Sequence, residues 1–258
     1  MKILNIMQGT NLGGMEQSSL SLMKSMTSIG CVFDVISLTP FGLLKDKLEE
    51  LNINLQDSSY LGIGGWRSFF EIKSRIKKSN ADCLMMTGHS LIGMLALGNK
   101  CEGRRVLTLH FHHQDVKPRI IWRLIYFIAC KKFNHIIYAS KFIRDEAISI
   151  YPRVKKISQV INNPLTEKTV ASNEQKQRSR KKLGLSQEGL IFGNAGWLIK
   201  RKRFDIFLNL AARIKKKYPS AQFLIAGDGE EKDSLMQLSH DLGISEDIIW
   251  LGWQENLE

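Results

Sequence analysis

The stretch Ile3-Leu4-Asn5-Ile6-Met7-Gln8-Gly9-Thr10-Asn11-Leu12-Gly13-Gly14-Met15-Glu16 decides how the chain is read. A short apolar run leads into a loop with paired glycines, then into a run with helical apolar spacing that lasts to about residue 29. This is a strand, a loop and a helix. Working outward, the same alternation continues, with strands predicted at residues 32–38, 53–56, 82–86, 105–109, 135–139 and 157–161. Helices are predicted between them at 43–51, Trp66–Lys78, 90–98, 118–133 and 141–150. Alternation at this spacing implies right-handed crossovers and a parallel sheet covered on both faces.

The pattern breaks at Asn162-Asn163-Pro164, and residues 166–182 are polar and nearly free of large apolar side chains. The reading is a first domain over 1–163, a polar linker over 164–188 and a second domain over 189–258. The second domain restarts the alternation, with strands at 190–194, 222–226 and 248–251 and helices at 204–217 and 231–242. Three strands and two helices make half of a doubly wound domain. The expected fold class is therefore α/β, with two Rossmann-like parallel-sheet domains, the second incomplete.

Of the 258 residues, 43% are hydrophobic and 24% charged, which is globular composition and excludes a disordered or fibrous chain. Cys31, Cys83, Cys101 and Cys130 lie far apart with no CxxC pair, which argues for a reducing compartment. No signal-peptide pattern opens the chain, and the longest lipophilic stretch, 120–130, is interrupted by Arg123 and falls short of the roughly 20 residues that span a bilayer. A cytoplasmic protein is expected. Lys and Arg number 37 against 25 Asp and Glu, a net charge of +12, and the excess gathers in 178–182 and 195–217. Such a surplus suits nucleic acid, a phosphorylated ligand or a membrane surface, and a Lys-rich proteome gives the same total. No RNP aromatic set, zinc finger or recognition-helix pattern accompanies the charge, so no nucleic-acid partner is expected. Trp66–Lys78 is a basic amphipathic helix whose Trp66, Phe69 and Phe70 either enter a lipid interface or pack on the sheet.

Four loops carry candidate chemistry. Gly13 and Gly14 precede a helix whose N-terminal N–H groups attract phosphate, although the loop is neither GxGxxG nor a P-loop. Gly193-Asn194-Ala195-Gly196-Trp197 is followed by Lys200-Arg201-Lys202-Arg203, which places cations where a diphosphate meets a helix end. Gly227-Asp228-Gly229-Glu230 is a third strand-to-helix turn, its glycines either turn formers or ligand contacts. His110-Phe111-His112-His113 ends a strand, and one His hydrogen-bonding a substrate fits it better than a metal site, since adjacent rings diverge.

Taken in order, these loops carry a resemblance. The Gly13-Gly14 loop, His110, Ile137-Tyr138-Ala139-Ser140-Lys141-Phe142, Val160-Ile161-Asn162-Asn163-Pro164, Gly196 with Lys202 and Asp205, and Ala226-Gly227-Asp228-Gly229 resemble the retaining family 4 glycosyltransferases of the GT-B fold. The resemblance implies a hexosyltransferase-type enzyme that moves a sugar from a nucleoside diphosphate sugar to a glycan or lipid-linked acceptor, in cell-surface polysaccharide biosynthesis. It implies catalytic roles for His110, near the transferred sugar, and Lys202, on the diphosphate with Arg201. Gly13 and Gly14 would lie near the donor phosphates, and Gly227, Asp228 and Gly229 would form a donor-side turn. No metal ion and no cofactor beyond the nucleotide sugar are implied, since no DxD motif is visible. The chain departs from the family in three places: Trp197 stands where an Arg is usual, no Asp follows His110, and the Glu-x7-Glu donor motif is not reached by Glu258. The expectation is a truncated family member. The cytoplasmic protein is expected to make peripheral contact at the inner face of the membrane. The alternative is a catalytically inactive, truncated glycosyltransferase-like protein that acts as a binding partner or membrane-surface module.

Overall fold

The structure is a computed structural model that describes residues 1–11, 13–57, 66–98, 104–110, 113, 117–163 and 170–254. Leu12, Phe111, His112 and Pro164 lie outside the described residues, as do the side chains of Trp66 and Arg67. The chain divides into two compact units, Met1–Thr166 and Glu167–Glu258.

In the first unit the strands are β1 (Lys2–Met7), β2 (Val32–Ser37), β3 (Asn54–Asp57), β4 (Cys83–Thr87), β5 (Arg104–Leu109), β6 (His135–Tyr138) and β7 (Ser158–Val160). The helices are α1 (Gly14–Thr27), α2 (Lys45–Glu49), α3 (Trp66–Lys78), α4 (Leu91–Ala96), α5 (Arg119–Lys132) and α6 (Lys141–Ile150). All strands are parallel, in the order β3-β2-β1-β4-β5-β6-β7. The order reverses between β1 and β4, and that switch point opens a crevice beyond the strand ends where ligands bind in doubly wound sheets.

Successive side chains of a strand point to opposite faces, so a strand covered on both sides reads as an unbroken apolar run. In β1, Leu4 and Ile6 join a core with Met86, Leu107 and Trp122, while Ile3 and Met7 join another with Met23 and Leu48. The first core is roofed by α3, α4, α5 and α6, and the second by α1 and α2. Each fully buried large apolar side chain contributes roughly 1.5–3 kcal/mol, so the alternation fixes which face each helix covers.

The second unit contains α7 (Asn173–Lys182), β8 (Ile191–Ala195), α8 (Phe204–Lys217), β9 (Gln222–Ala226), α9 (Lys232–Asp241) and β10 (Ile248–Gly252). Its sheet is parallel in the order β10-β9-β8, with Phe204, Leu208, Phe223, Ile225 and Leu235 in its core. Helix α7 falls inside the stretch read from composition as a linker. Its start is a capping box: Gln175 N donates to Ser172 Oγ at 3.2 Å, and Ser172 N donates to Gln175 Oε1 at 2.8 Å. The helix buries none of its residues, so it carries no apolar period to be read. Arg180 ties it to the second unit through bonds to the carbonyls of Ser186 and Gly189 at 2.8 and 3.1 Å.

Candidate functional site

At the switch point the ladder runs one residue past the strands. Gln8 N donates to Thr87 O at 3.0 Å, and Gly88 N donates to Thr108 O at 3.2 Å. The Gln8 side chain crosses from the β1 end to accept a bond from His89 N at 2.9 Å. Gly88 sits at φ +111°, and an added Cβ would press on the Gln8 side chain, so only glycine fits this crossing. His89 is buried beside Trp122, with ring centroids 5.3 Å apart. Burial, then the positive charge of Lys117 and the neighbouring His113, pushes its pKa down to about 4, so the ring is neutral at pH 7.

Gly13 caps α1 with extended backbone, and Gly14 has open space where a side chain would be. The carboxylate of Glu16 folds back over this helix start and accepts the N–H groups of Gly13 and Glu16 itself. Burial nevertheless raises its pKa above the ordinary carboxylate value. An anion approaching Gly13 and Gly14 must therefore displace the Glu16 carboxylate. Sequence reading missed this, although a Glu three residues past a helix cap is the signal for it.

His110 follows β5. Its Nδ1 lies 3.0 Å from Asn163 Oδ1, which also accepts Ser18 Oγ–H at 2.9 Å. An amide oxygen is an acceptor, so Nδ1 carries the proton and Nε2 presents a lone pair. Burial lowers the His110 pKa from the ordinary His value, partly opposed by the Asn163 bond. His110 and Asn163 rim a cavity of about 330 Å³ floored by Met85, Thr108 and Ile137. Behind it runs a buried polar chain in which Thr108 meets Thr87 at 3.3 Å, Thr87 meets Asn5 Oδ1 at 3.1 Å, and Asn5 Nδ2 meets Ser19 Oγ at 3.1 Å. In the sequence Asn163 is only part of a motif at the domain boundary; the structure makes it the partner that orients His110.

His113, three residues after His110, is fully buried. Glu146 Oε2 lies 2.7 Å from His113 Nδ1 and 3.2 Å from its backbone N, and Tyr126 OH bonds Nε2. Trp122 Nε1 donates to the His113 carbonyl at 2.7 Å. Helices α5 and α6 thus hold both ends of the ring and both backbone polar groups.

In the second unit the loops after β8 and β9 run side by side. Gly196 N donates to Ala226 O, and Leu198 N donates to Asp228 O, both at 2.9 Å. Gly227, at φ +143°, approaches so closely that any Cβ would overlap the Gly196 carbonyl. The glycines of the Gly227-Asp228-Gly229 turn therefore serve backbone packing, while Asp228 is exposed and accepts its neighbour Gly229 N at 2.9 Å. Lys200, Arg201 and Lys202 form an exposed tight turn directly before α8, and Trp197 stacks near Trp253 with centroids 4.7 Å apart. Arg203 adopts left-handed backbone at φ +54° and grips Asp205 with two bonds of 2.9 Å. Its guanidinium is thereby committed to Asp205, whereas Arg201 and Lys202 face solvent at the helix start.

Parallel sheets whose glycine-bearing and basic loops gather at the strand carboxyl ends define a Rossmann-like α/β protein. The chain belongs to glycosyltransferase family 4: the model "Glycosyltransferase Family 4" matches residues 12–166, and "Glycosyl transferases group 1" matches 175–258. It is 32% identical over 77 residues to the lipopolysaccharide core biosynthesis glycosyltransferase LpsE of Rhizobium meliloti, a match spanning 30% of this chain and 22% of that protein. Over 278 residues it is 25% identical to the alpha-monoglucosyldiacylglycerol synthase of Acholeplasma laidlawii, spanning 96% of this chain and 68% of the relative. Its fold is like that of HepE of Anabaena, solved with UDP and glucose, with a TM-score of 0.83 and 20% identity over 98% of this chain and 70% of HepE. The fold is that of the GT-B glycosyltransferases.

Proposed function

We propose that the chain transfers a hexose-type sugar from a nucleoside diphosphate sugar to a glycan or lipid-linked acceptor, with retention, in cell-surface polysaccharide biosynthesis. The observation that carries this reading is the Lys200–Lys202 turn, which sets exposed cations at the start of α8 just beyond the end of β8. Negative charge grows on the departing diphosphate, so Lys202, Arg201 and the first N–H groups of α8 favour the transition state over the bound donor. In this reading these groups do the work a divalent ion would do, and the nucleotide sugar is the only small molecule required. His110 Nε2, with its lone pair held forward by Asn163, accepts a hydroxyl of the transferred sugar. A nucleotide sugar suits the fold of a protein solved with UDP and glucose.

The test uses UDP-glucose as probe donor. Lys202→Ala is expected to lower turnover by roughly 10² to 10³, the usual effect of removing one electrostatic donor. Unchanged turnover would remove Lys202 from the site. The reading also places the protein in the cytoplasm at the inner membrane face, with contact through α3. Phe70 is 61% exposed beside exposed Lys73, Lys77 and Lys78, whereas Phe69 packs on the core. Among the described residues, no helix is long and apolar enough to cross a membrane.

A further inference from the structure

The sugar transfer proposed above gives no task to the cluster around His113, yet that cluster buries a carboxylate. The His113 side chain is 0% exposed and that of Glu146 11%. Desolvation offsets most of the attraction in such a pair, so it adds little net stability; what it does add is a single fixed geometry.

The protons are ordered throughout. One oxygen of Glu146 accepts both the backbone N–H of His113, at 3.2 Å, and its Nδ1–H, at 2.7 Å. Nδ1 therefore holds the ring proton, and Nε2 accepts the Tyr126 hydroxyl. Burial raises the Tyr126 pKa, so that hydroxyl stays a donor. The His113 carbonyl accepts Trp122 Nε1 at 2.7 Å and Lys117 N at 3.1 Å. The indole of Trp122 also meets the His113 ring edge to face, with centroids 4.6 Å apart. Every polar atom of residue 113 is thus bound, by partners on α5, on α6 and at Lys117.

This matters for His110, three residues earlier in the chain. On its other side Leu109 is fixed by the sheet, its carbonyl accepting Ala139 N at 3.1 Å. Three residues span at most about 11 Å, so a displacement of His113 is passed on to the main chain of His110. The His110 ring is held by Asn163 Oδ1 at 3.0 Å, a bond that tolerates only small shifts of that main chain. We infer that Glu146 is a positioning residue: by fixing His113 it keeps His110 on Asn163, with Nε2 presented to the transferred sugar. The inference rests on the reading of His110 given above. Glu146 touches no reacting atom in it and acts only through His113.

The first test reads His110 without any substrate. The chain has six histidines, which can be labelled with nitrogen-15 and assigned by single His→Gln variants. At about pH 8, above the ordinary His range, the ring nitrogens of His110 are expected to show one tautomer, with Nδ1 protonated. In Glu146→Ala they are expected to move toward the average of the two tautomers, as the ring leaves Asn163. Glu146→Gln keeps an oxygen that can accept both N–H groups, and it is expected to restore the wild-type signals. The second test is release of UDP from UDP-glucose. Glu146→Ala is expected to lower kcat by roughly 10- to 100-fold with KM for UDP-glucose little changed, since the diphosphate contacts lie in the second unit, and Glu146→Gln is expected to recover most of the loss. Thermal unfolding is scored beside both. If Glu146→Ala does not fold, Glu146→Asp takes its place, because it keeps the charge but draws it back by one methylene. His110 signals that stay at their wild-type positions in the folded Ala or Asp variant overturn the inference, as does a Gln variant that behaves like Ala. A wild type that leaves UDP-glucose intact would count against the proposed function, and the nitrogen signals would still decide whether Glu146 positions His110.

Discussion

His89 shows how a single buried ring can govern the pH range of the fold. Its pKa is about 4 when folded, against 6.5 for an ordinary His. Between those values the unfolded chain binds a proton that the folded chain refuses, so acid favours unfolding. The stability is fully present above pH 6.5 and is lost as pH falls through about 4, with a limit of roughly 3 kcal/mol. Urea unfolding of the wild type and His89→Gln across this window is expected to show the smaller acid loss in the variant. Equal slopes would show that His89 titrates normally. Glu16 acts in the opposite sense: its raised pKa means stability falls as pH rises from the ordinary Glu value of 4.5 to the folded one. At this scale the sequence was informative about which residues stand at strand ends and silent about what they touch. His110 was legible because it ends an apolar strand. Its orientation was not, since Asn163 is 53 residues away and Ser18 reaches Asn163 from 145 residues away. His113 was hidden for the same reason: nothing local in a run of three histidines distinguishes the ring that Glu146 and Tyr126 bury.

Between elements, the informative feature is the pair of loops after β8 and β9. Gly227 lies against the Gly196 carbonyl, and both loops take their backbone bonds from this approach. Gly227→Ala must both force a side chain into a glycine-only conformation and push the loops apart. A loss of more than about 2 kcal/mol is expected, because strain and overlap add. Gly243 is the control, since it also has positive φ, at +66°, but has open space around it, so Gly243→Ala should cost only about 1–2 kcal/mol. Urea unfolding followed by the emission of Trp197, Trp250 and Trp253 reads this unit, and equal losses would show that the overlap is relieved by a small shift. The glycines could be read from sequence as turn formers, but their partner loop could not, because contact across a parallel sheet is set by register rather than spacing. Most elements were legible for the complementary reason. Trp66–Lys78, Lys141–Ile150, Phe204–Lys217 and Gln222–Ala226 match their predicted bounds, since each buries one face and so repeats with a readable period. Helix α7 buries nothing, and composition concealed it.

At the scale of the whole molecule the two units differ in how well their strands are protected. In the first, β1 lies between β2 and β4, and β5 between β4 and β6, so both are hydrogen-bonded along two edges. Both also contribute side chains to the buried cores that flank the sheet. In the second unit, among the described residues, β8 pairs only with β9 and β10 only with β9, and Gly193 and Ala195 of β8 are exposed. A strand paired along one edge leaves half its amides without a ladder partner, and a smaller core gives less resistance to local opening. The expectation is that amides in residues 190–258 exchange with deuterium much faster than those in β1 and in residues 105–109, with β9, paired on both sides, the slowest part of its unit. The comparison is made within one chain under one condition, so differences in pH or temperature do not enter. Equal protection of β8 and β1 would mean that the short sheet draws stability from contacts other than its own strands, and the argument from edges would fail.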